Sequence, residues 1–270
     1  MKNWMDLLED DSDLRQMRTM WNNRAEEFSK IKCSEEDITL AFIEKKMSLV
    51  GKKVIDVGFG AGRFLLPLAQ KGMEIHGVEL AENMIRFANQ KLEDARVDYR
   101  KENLLNSSWE DIDLKKLGWE RAFDLVFLSM SPAISSYAQL EKVIRASKEG
   151  VFISAHIYRK DSLLEELKMS LGMESEERHI GKLVPIFNIL FEQGYFPDLQ
   201  FVSSVSERMV DKEDVLLRYT HWLFGMEHTQ QQKETVSAEL SKREVDGKLK
   251  LKTDAVDGYL FVNVNQRISK

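Results

Sequence analysis

Val54-Ile55-Asp56-Val57-Gly58-Phe59-Gly60-Ala61-Gly62-Arg63-Phe64 is the stretch from which the rest of the chain can be placed. Val54 to Val57 is rich in β-branched residues. Three glycines follow at every second position, and Phe64, Leu65, Leu66, Leu68 and Ala69 then resume at helical spacing. That order is strand, tight turn, helix. Glycines at such a turn permit positive φ and let a ligand approach the backbone closely. The following helix turns its amide end towards electronegative atoms.

Outward from the turn, Arg63 stands where a dinucleotide fingerprint would place its third glycine, which disfavours a nicotinamide cofactor. Asp56 lies two residues before the first glycine, where its carboxylate can reach across the turn. The next apolar run, Ile75 to Leu80, carries Glu79 near its end, where an acid can accept hydrogen bonds from a ribose diol.

With these residues the sequence resembles the class I methyltransferases that use S-adenosylmethionine. Asp56-Val-Gly58-Phe-Gly60-Ala-Gly62 is similar to their first motif. Val78-Glu79-Leu80 with Ala81, Glu82, Asn83 and Met84 is similar to their second. Lys101-Glu102-Asn103-Leu104 fits the adenine-contacting position after a third strand, and Phe123-Asp124-Leu125-Val126 fits the fourth strand. The resemblance covers about residues 50 to 160. It implies an α/β fold with a doubly wound, mostly parallel, seven-stranded Rossmann-like sheet, and S-adenosylmethionine as cofactor with S-adenosylhomocysteine as product.

Composition bounds the rest. A chain of 270 residues with 43% hydrophobic content accommodates one large domain, or one domain with a cap. With 39 basic against 45 acidic residues the net charge is -6, which disfavours broad attraction to nucleic acid or anionic lipid. Cys33 is the only cysteine, so an internal disulfide and a thiolate metal cluster are both excluded. The acidic start, Met1 to Asp13, lacks a leader pattern, and no apolar run approaches a membrane span. The expectation is a cytoplasmic protein, monomer or homodimer, that meets a small-molecule substrate and no membrane.

Leu14, Met17, Trp21, Ala25 and Phe28 recur at helical spacing between Leu14 and Ile31, and a second helix is expected over 35–49. Together they make an N-terminal helical cap, residues 1–50, ahead of a methyltransferase domain over 51–270. Strands are expected at 53–57, 74–79, 96–100, 123–129 and 150–156, with helices near 62–71, 82–94, 110–116, 135–147 and 160–171. Strict alternation argues a parallel sheet covered on both faces, with its crevice at the carboxyl ends of the strands. Further on, the pattern gives a helix from Leu183 that ends at Gly194, strands over 199–209 and 258–264, and a helix from Asp214 to Phe224. Residues 227–248 read as an exposed helix or a flexible excursion. If the resembled topology holds, the strands at 199 and 258 are an antiparallel edge pair, and a helical insertion at about 212–242 separates them on the substrate side.

The resemblance assigns the backbones of Gly58, Gly60 and Gly62 to the methionine portion of the ligand, Asp56 to its amine, and Glu79, next to Leu80, to the ribose. It puts Glu102 and Asn103 beside the adenine, with Leu104 or Met84 against its face, although a methionine at helical spacing also suits a core. Ser129 and Ser131 follow the fourth strand, where each could hold the substrate or the ligand amine, or simply shape a turn before Pro132. His156 closes the fifth strand, either as a structural hydrogen-bonding group or as a general base. Tyr158, Trp21, Arg24, Tyr195 and Tyr219 are substrate-side candidates, and Trp222 reads as part of a packed helix face. No metal ligand set is evident.

The function expected is methyl transfer to a small organic acceptor. The alternatives are an RNA or protein methyltransferase, and a regulatory module that binds S-adenosylmethionine without turnover.

Overall fold

The order of strands is set by which apolar runs can be buried on both faces. β1 (Lys53–Val57) and β4 (Phe123–Ser129) are almost continuous β-branched, leucine and phenylalanine sequence, and they lie side by side at the centre of a seven-stranded sheet ordered β3-β2-β1-β4-β5-β7-β6. β2 (Glu74–Glu79) and β3 (Leu104–Asn106) flank β1 on one side. β5 (Ser147–Asp161), β7 (Leu249–Asn263) and β6 (Asp198–Val210) complete the other. The computed structural model describes residues 3–10, 12–31, 33, 37–174, 181–225 and 227–268.

β1 runs parallel to β2 and β4, β2 to β3, and β4 to β5. β7 opposes both of its neighbours. Past its end the Val264 amide donates to the carbonyl of Glu149 at the start of β5 (2.9 Å), and near its own start Lys250 meets Glu207 near the end of β6 (2.9 Å). The strand order reverses between β1 and β4, so the crevice of this fold opens at the carboxyl ends of those strands.

Two compact units make up the chain. The first holds Met1–Ala155, Lys182–Gln200 and Gly258–Lys270. Its core includes an aromatic series in which Phe64 meets Phe127 at 5.1 Å, Phe127 stacks on Phe152 at 5.1 Å, and Phe152 meets Phe42 and Tyr259 at 6.1 Å each. Each such buried ring contributes roughly 1.5–3 kcal/mol. Helix α1 (Leu14–Ser29) is capped by Asp13, and α2 (Ile38–Glu44) by Asp37. α3 (Leu65–Gln70), α4 (Glu82–Asp94), α5 (Leu114–Leu117) and α6 (Tyr137–Ala146) separate the parallel strands. α8 (Leu183–Glu192) belongs to the same unit.

The second unit holds His156–Gly181 and Phe201–Asp257. α7 (Ser162–Ser170), α9 (Lys212–Phe224) and α10 (Gln230–Ser241) bury Leu163, Leu167, Val215, Tyr219, Leu223, Val236 and Leu240 with Leu249 and Leu251 of β7. Asp161 caps α7 by accepting from the Leu163 and Leu164 amides, and it also accepts the Tyr219 hydroxyl at 2.9 and 3.1 Å. Residues 227–248 therefore include a true helix, α10, closed at its start by a capping box between Thr229 and Gln232.

Three sequence expectations are corrected here. The third strand is Leu104–Asn106 and not 96–100, because Leu104 is the apolar side chain that packs at Gly77, while Asp98 and Arg100 are exposed. The last strand begins at Leu249, earlier than 258, because alternate residues from Leu249 to Thr253 are buried. Trp222 is 43% exposed, since Tyr219 and Leu223 take the packed face of α9.

The segment before α1 is pinned within the first unit. Leu8 is fully buried, the Asp10 amide donates to the Ser135 carbonyl, and the Asp10 carboxylate meets Lys182 at 2.7 Å. The Lys182 hydrogen bond, followed by that of Ser12, lowers the Asp10 carboxyl from 3.8 to about 2. A carboxyl lowered on folding contributes stability above its unfolded value and loses it as the pH falls through the folded one. The stability difference between wild type and Lys182→Ala, read as urea midpoints, should be constant above the ordinary carboxylate range and shrink between pH 3.8 and about 2. At neutral pH the variant should be cleaved faster by proteases within residues 3–13.

Candidate functional site

At the carboxyl end of β1 the chain turns through Gly58, Gly60 and Gly62, all with positive φ (77°, 55° and 75°). The turn is drawn against β2 by the Gly58 amide, which donates to the Val78 carbonyl at 2.7 Å. A Cβ on Gly58 would lie 2.2 Å from the Ser131 Oγ, and one on Gly62 3.0 Å from the Cβ of Ala88 in α4. A Cβ on Gly60 would meet nothing within 4 Å. Two of the glycines thus admit packing elements, and the third faces open space. Arg63 forms an ion pair with Asp37, the α2 cap, at 2.9 Å.

Glu79 joins this turn to the next helix. Its Oε2 accepts from the Gly60 amide and its Oε1 from the Ala81 amide, each at 2.9 Å. Asp56 is 2% exposed and makes no hydrogen bond to a described residue through its side chain. Burial, then the charge of Glu79, raises the Asp56 carboxyl well above its usual value. Burial likewise raises Glu79, against the opposing effect of the Ala81 and Gly60 amides. Two buried acids at one turn form an electronegative hollow.

The α4 cap position is Ala81, which has no capping side chain. Asn22 of α1 supplies the missing acceptor: its Oδ1 takes the Asn83 amide at 2.9 Å, while its Nδ2 donates to Glu82 at 2.8 Å. Ala25, Ala61, Ala81 and Met84 form one buried cluster, with Trp21 and Phe28 packed against it. Helix α1 therefore lies over Ala61 of the glycine turn. Arg24 sits 5.4 Å from the Trp21 ring and 4.7 Å from that of Phe28.

After β4, the Ser129 hydroxyl accepts from Ser154 at 3.1 Å, and the Met130 amide donates to the Ser154 carbonyl at 2.9 Å. Met130 has a φ of 53°, unusual for a residue with a side chain, and is part-exposed. Ser131 accepts from the Ala133 amide and abuts Gly58.

Compared with known proteins, residues 54–150 match the family described as methyltransferase domain. Over that span the chain is similar to a methyltransferase domain. Members of this family use S-adenosylmethionine. The ubiquinone biosynthesis O-methyltransferase of Stutzerimonas stutzeri (strain A1501) is 32% identical over 82 residues, which are 30% of this chain and 35% of that protein. The 23S rRNA (uracil(1939)-C(5))-methyltransferase of Neisseria lactamica (strain 020-06) is 29% identical over 101 residues, 33% of this chain and 22% of that protein. The chain thus spans about a third or less of these curated relatives. The YcgJ protein from Bacillus subtilis is alike in fold, with a TM-score of 0.52 at 14% identity over 86% of this chain and 99% of that one. Among the described residues no helix is long and apolar enough to cross a membrane.

Within the matched span, Asp56, Gly58, Gly60, Gly62, Glu79, Ser129 and Ser131 come together at the carboxyl edge of the sheet, and Leu80 borders them half-buried. The third strand begins later than the sequence pattern suggests, so the adenine-side candidates stand at its start. Glu102 is exposed and Asn103 reaches back to the Ile75 carbonyl, both in a 3-10 turn, while Leu104 is buried at Gly77. The residues that follow β3 are Asn106, Ser107 and Ser108. Asn106 Nδ2 donates to the carbonyls of Glu79 (3.1 Å) and Leu80 (3.0 Å), and the Ser107 amide to that of Glu79 (3.0 Å). A polar triplet after a short apolar pair was their only signal in the sequence.

Tyr195 is a second correction. It is 6% exposed and bridges to Arg267, beyond the carboxyl end of β7 and so at the amino edge of the parallel strands. Tyr219 is a third: it is fully buried in the second unit's core, its hydroxyl held by Asp161. In that unit His156 pairs through Nδ1 with Asp257 Oδ1 at 2.6 Å, and Tyr158 is 37% exposed. His179, a further polar-aromatic candidate in the sequence, lies outside the described residues.

A carboxyl raised on folding favours the folded state at low pH, and that contribution is lost as the pH rises through the raised value. At neutral pH Asp56→Asn should accordingly stabilise the ligand-free protein, read as a higher melting temperature in thermal unfolding. Gly58→Ala should destabilise by more than ~1 kcal/mol through its positive φ and the Ser131 clash. Adding Ser131→Gly should recover part of that loss in a double-mutant cycle.

Proposed function

We propose that this protein transfers a methyl group from S-adenosylmethionine to a small organic acceptor, leaving S-adenosylhomocysteine. The observation that carries the reading is the glycine turn open at Gly60 beside two buried carboxylates. The two Glu79 oxygens accept from the Gly60 and Ala81 amides, and a carboxylate has acceptor capacity beyond these for the hydroxyls of a ribose diol. Asp56, buried without a side-chain hydrogen bond to a described residue, suits a cationic amine. The cofactor supplies a methyl group already activated by its positive sulfur.

The chain's own part is binding and alignment. The backbones of Gly58, Gly60 and Gly62 take the aminoacyl portion, Glu79 holds the sugar, and Asn106 to Ser108 replace 102–104 at the base. Ser129, Met130 and Ser131 border the place for the acceptor. Trp21 and Arg24, on the helix that packs over Ala61, exclude water. His156, whose Nδ1 is occupied by Asp257, is the base we assign to acceptors that must lose a proton. Net charge -6 favours a small molecule over RNA, although one relative methylates rRNA.

Glu79→Gln should weaken S-adenosylmethionine binding by ~1.5–3 kcal/mol, one to two powers of ten, in calorimetry. Labelled methyl transfer should appear in metabolite extracts and not in RNA or protein fractions. Cofactor binding with no transfer to any fraction would favour the regulatory alternative, and preferential NAD binding would overturn the reading. His156→Ala should slow turnover and leave cofactor affinity unchanged.

A further inference from the structure

β6 ends the sheet, so one of its edges has no neighbouring strand among the described residues. From Ser203 to Met209 its side chains are exposed on both faces. Phe201, Val205 and Met209, at 53%, 67% and 53% exposure, fall on one face by the two-residue period of a strand. Asp198–Val210 contains no proline to block pairing. An edge that offers a long row of unpaired backbone groups beside apolar side chains is a template for another strand.

We propose that β6 pairs antiparallel with β6 of a second copy of this chain, across a two-fold axis through Val205. In that register Phe201 lies opposite Met209 of the partner subunit, a favourable aromatic-thioether pair, and Val205 opposite the partner's Val205. Ser203 meets the partner's Glu207, Ser204 the partner's Ser206, and Val202 the partner's Arg208. No like charges face one another. An axis through Glu207 or Arg208 would set identical charges opposite, which is destabilising. Glu207 keeps its own-chain partner Lys250 at 2.9 Å. The self-complementarity about Val205 selects a second copy over an unrelated strand.

The full-length protein should sediment as a dimer that dissociates on dilution. Val205→Lys, at a site too exposed to disturb the core, should be monomeric, with the melting temperature that wild type shows when diluted below its dissociation. In a Cys33→Ser background, Val205→Cys should form an intermolecular disulfide on mild oxidation. Facing Cα atoms of antiparallel strands lie ~4.5–5.5 Å apart, within the ~4.4–6.8 Å a disulfide spans. Met209→Cys should stay unlinked, because eight residues of strand would hold the two copies ~25 Å apart. A wild type that is monomeric at every concentration, a dimer indifferent to Val205→Lys, or equal cross-linking at both positions would overturn the proposal. None of these outcomes depends on methyl transfer.

Discussion

The carboxylate of Glu79, shared between the amides of Gly60 and Ala81, is the interaction on which the site depends. It fixes the glycine turn of one strand to the helix start of the next. Buried acids are costly in proportion to how poorly they are solvated, and here two such groups oppose each other. The backbone amides offset part of that cost for Glu79. Asp56 has no such help, and burial with the charge of Glu79 raises its carboxyl well above the usual value.

Around this contact the packing follows from small residues and borrowed caps. Ala25, Ala61 and Ala81 let α1 approach the turn closely, and Asn22 provides the acceptor that Ala81 cannot. The same side chain therefore completes α4 and anchors α1. Met130, held in a positive-φ conformation by its bond to Ser154, places strain at the end of β4 beside the turn.

The second unit has a different logic. Its core is made by three helices and two leucines of β7, and the Asp161 to Tyr219 hydrogen bonds fix it internally. None of β6 from Phe201 to Met209 contributes to that core, and a strand held on one edge alone gains little from its own chain. The alternation of Phe201, Val205 and Met209 acquires a physical reason when a second copy supplies the missing edge.

Local patterns alone determined the parallel core, the glycine turn, the acids Asp56 and Glu79, and helix α4, because β-branched runs, positive-φ glycines and helical periodicity act within a few residues. The family resemblance supplied the cofactor. Tertiary structure decided what depends on partners distant in sequence. Leu104, rather than Val97 or Tyr99, became strand because Gly77 left room for it, and this put Asn106 at the end of the third strand. Tyr195 and Tyr219 read as available aromatics, yet Tyr195 is buried where it bridges to Arg267, and Tyr219 is buried in the second unit's core with its hydroxyl on Asp161. The Asn22 cap and the Asp257 partner of His156 lie 61 and 101 residues from the groups they hold. No periodicity spans such separations; only the folded chain brings those atoms together.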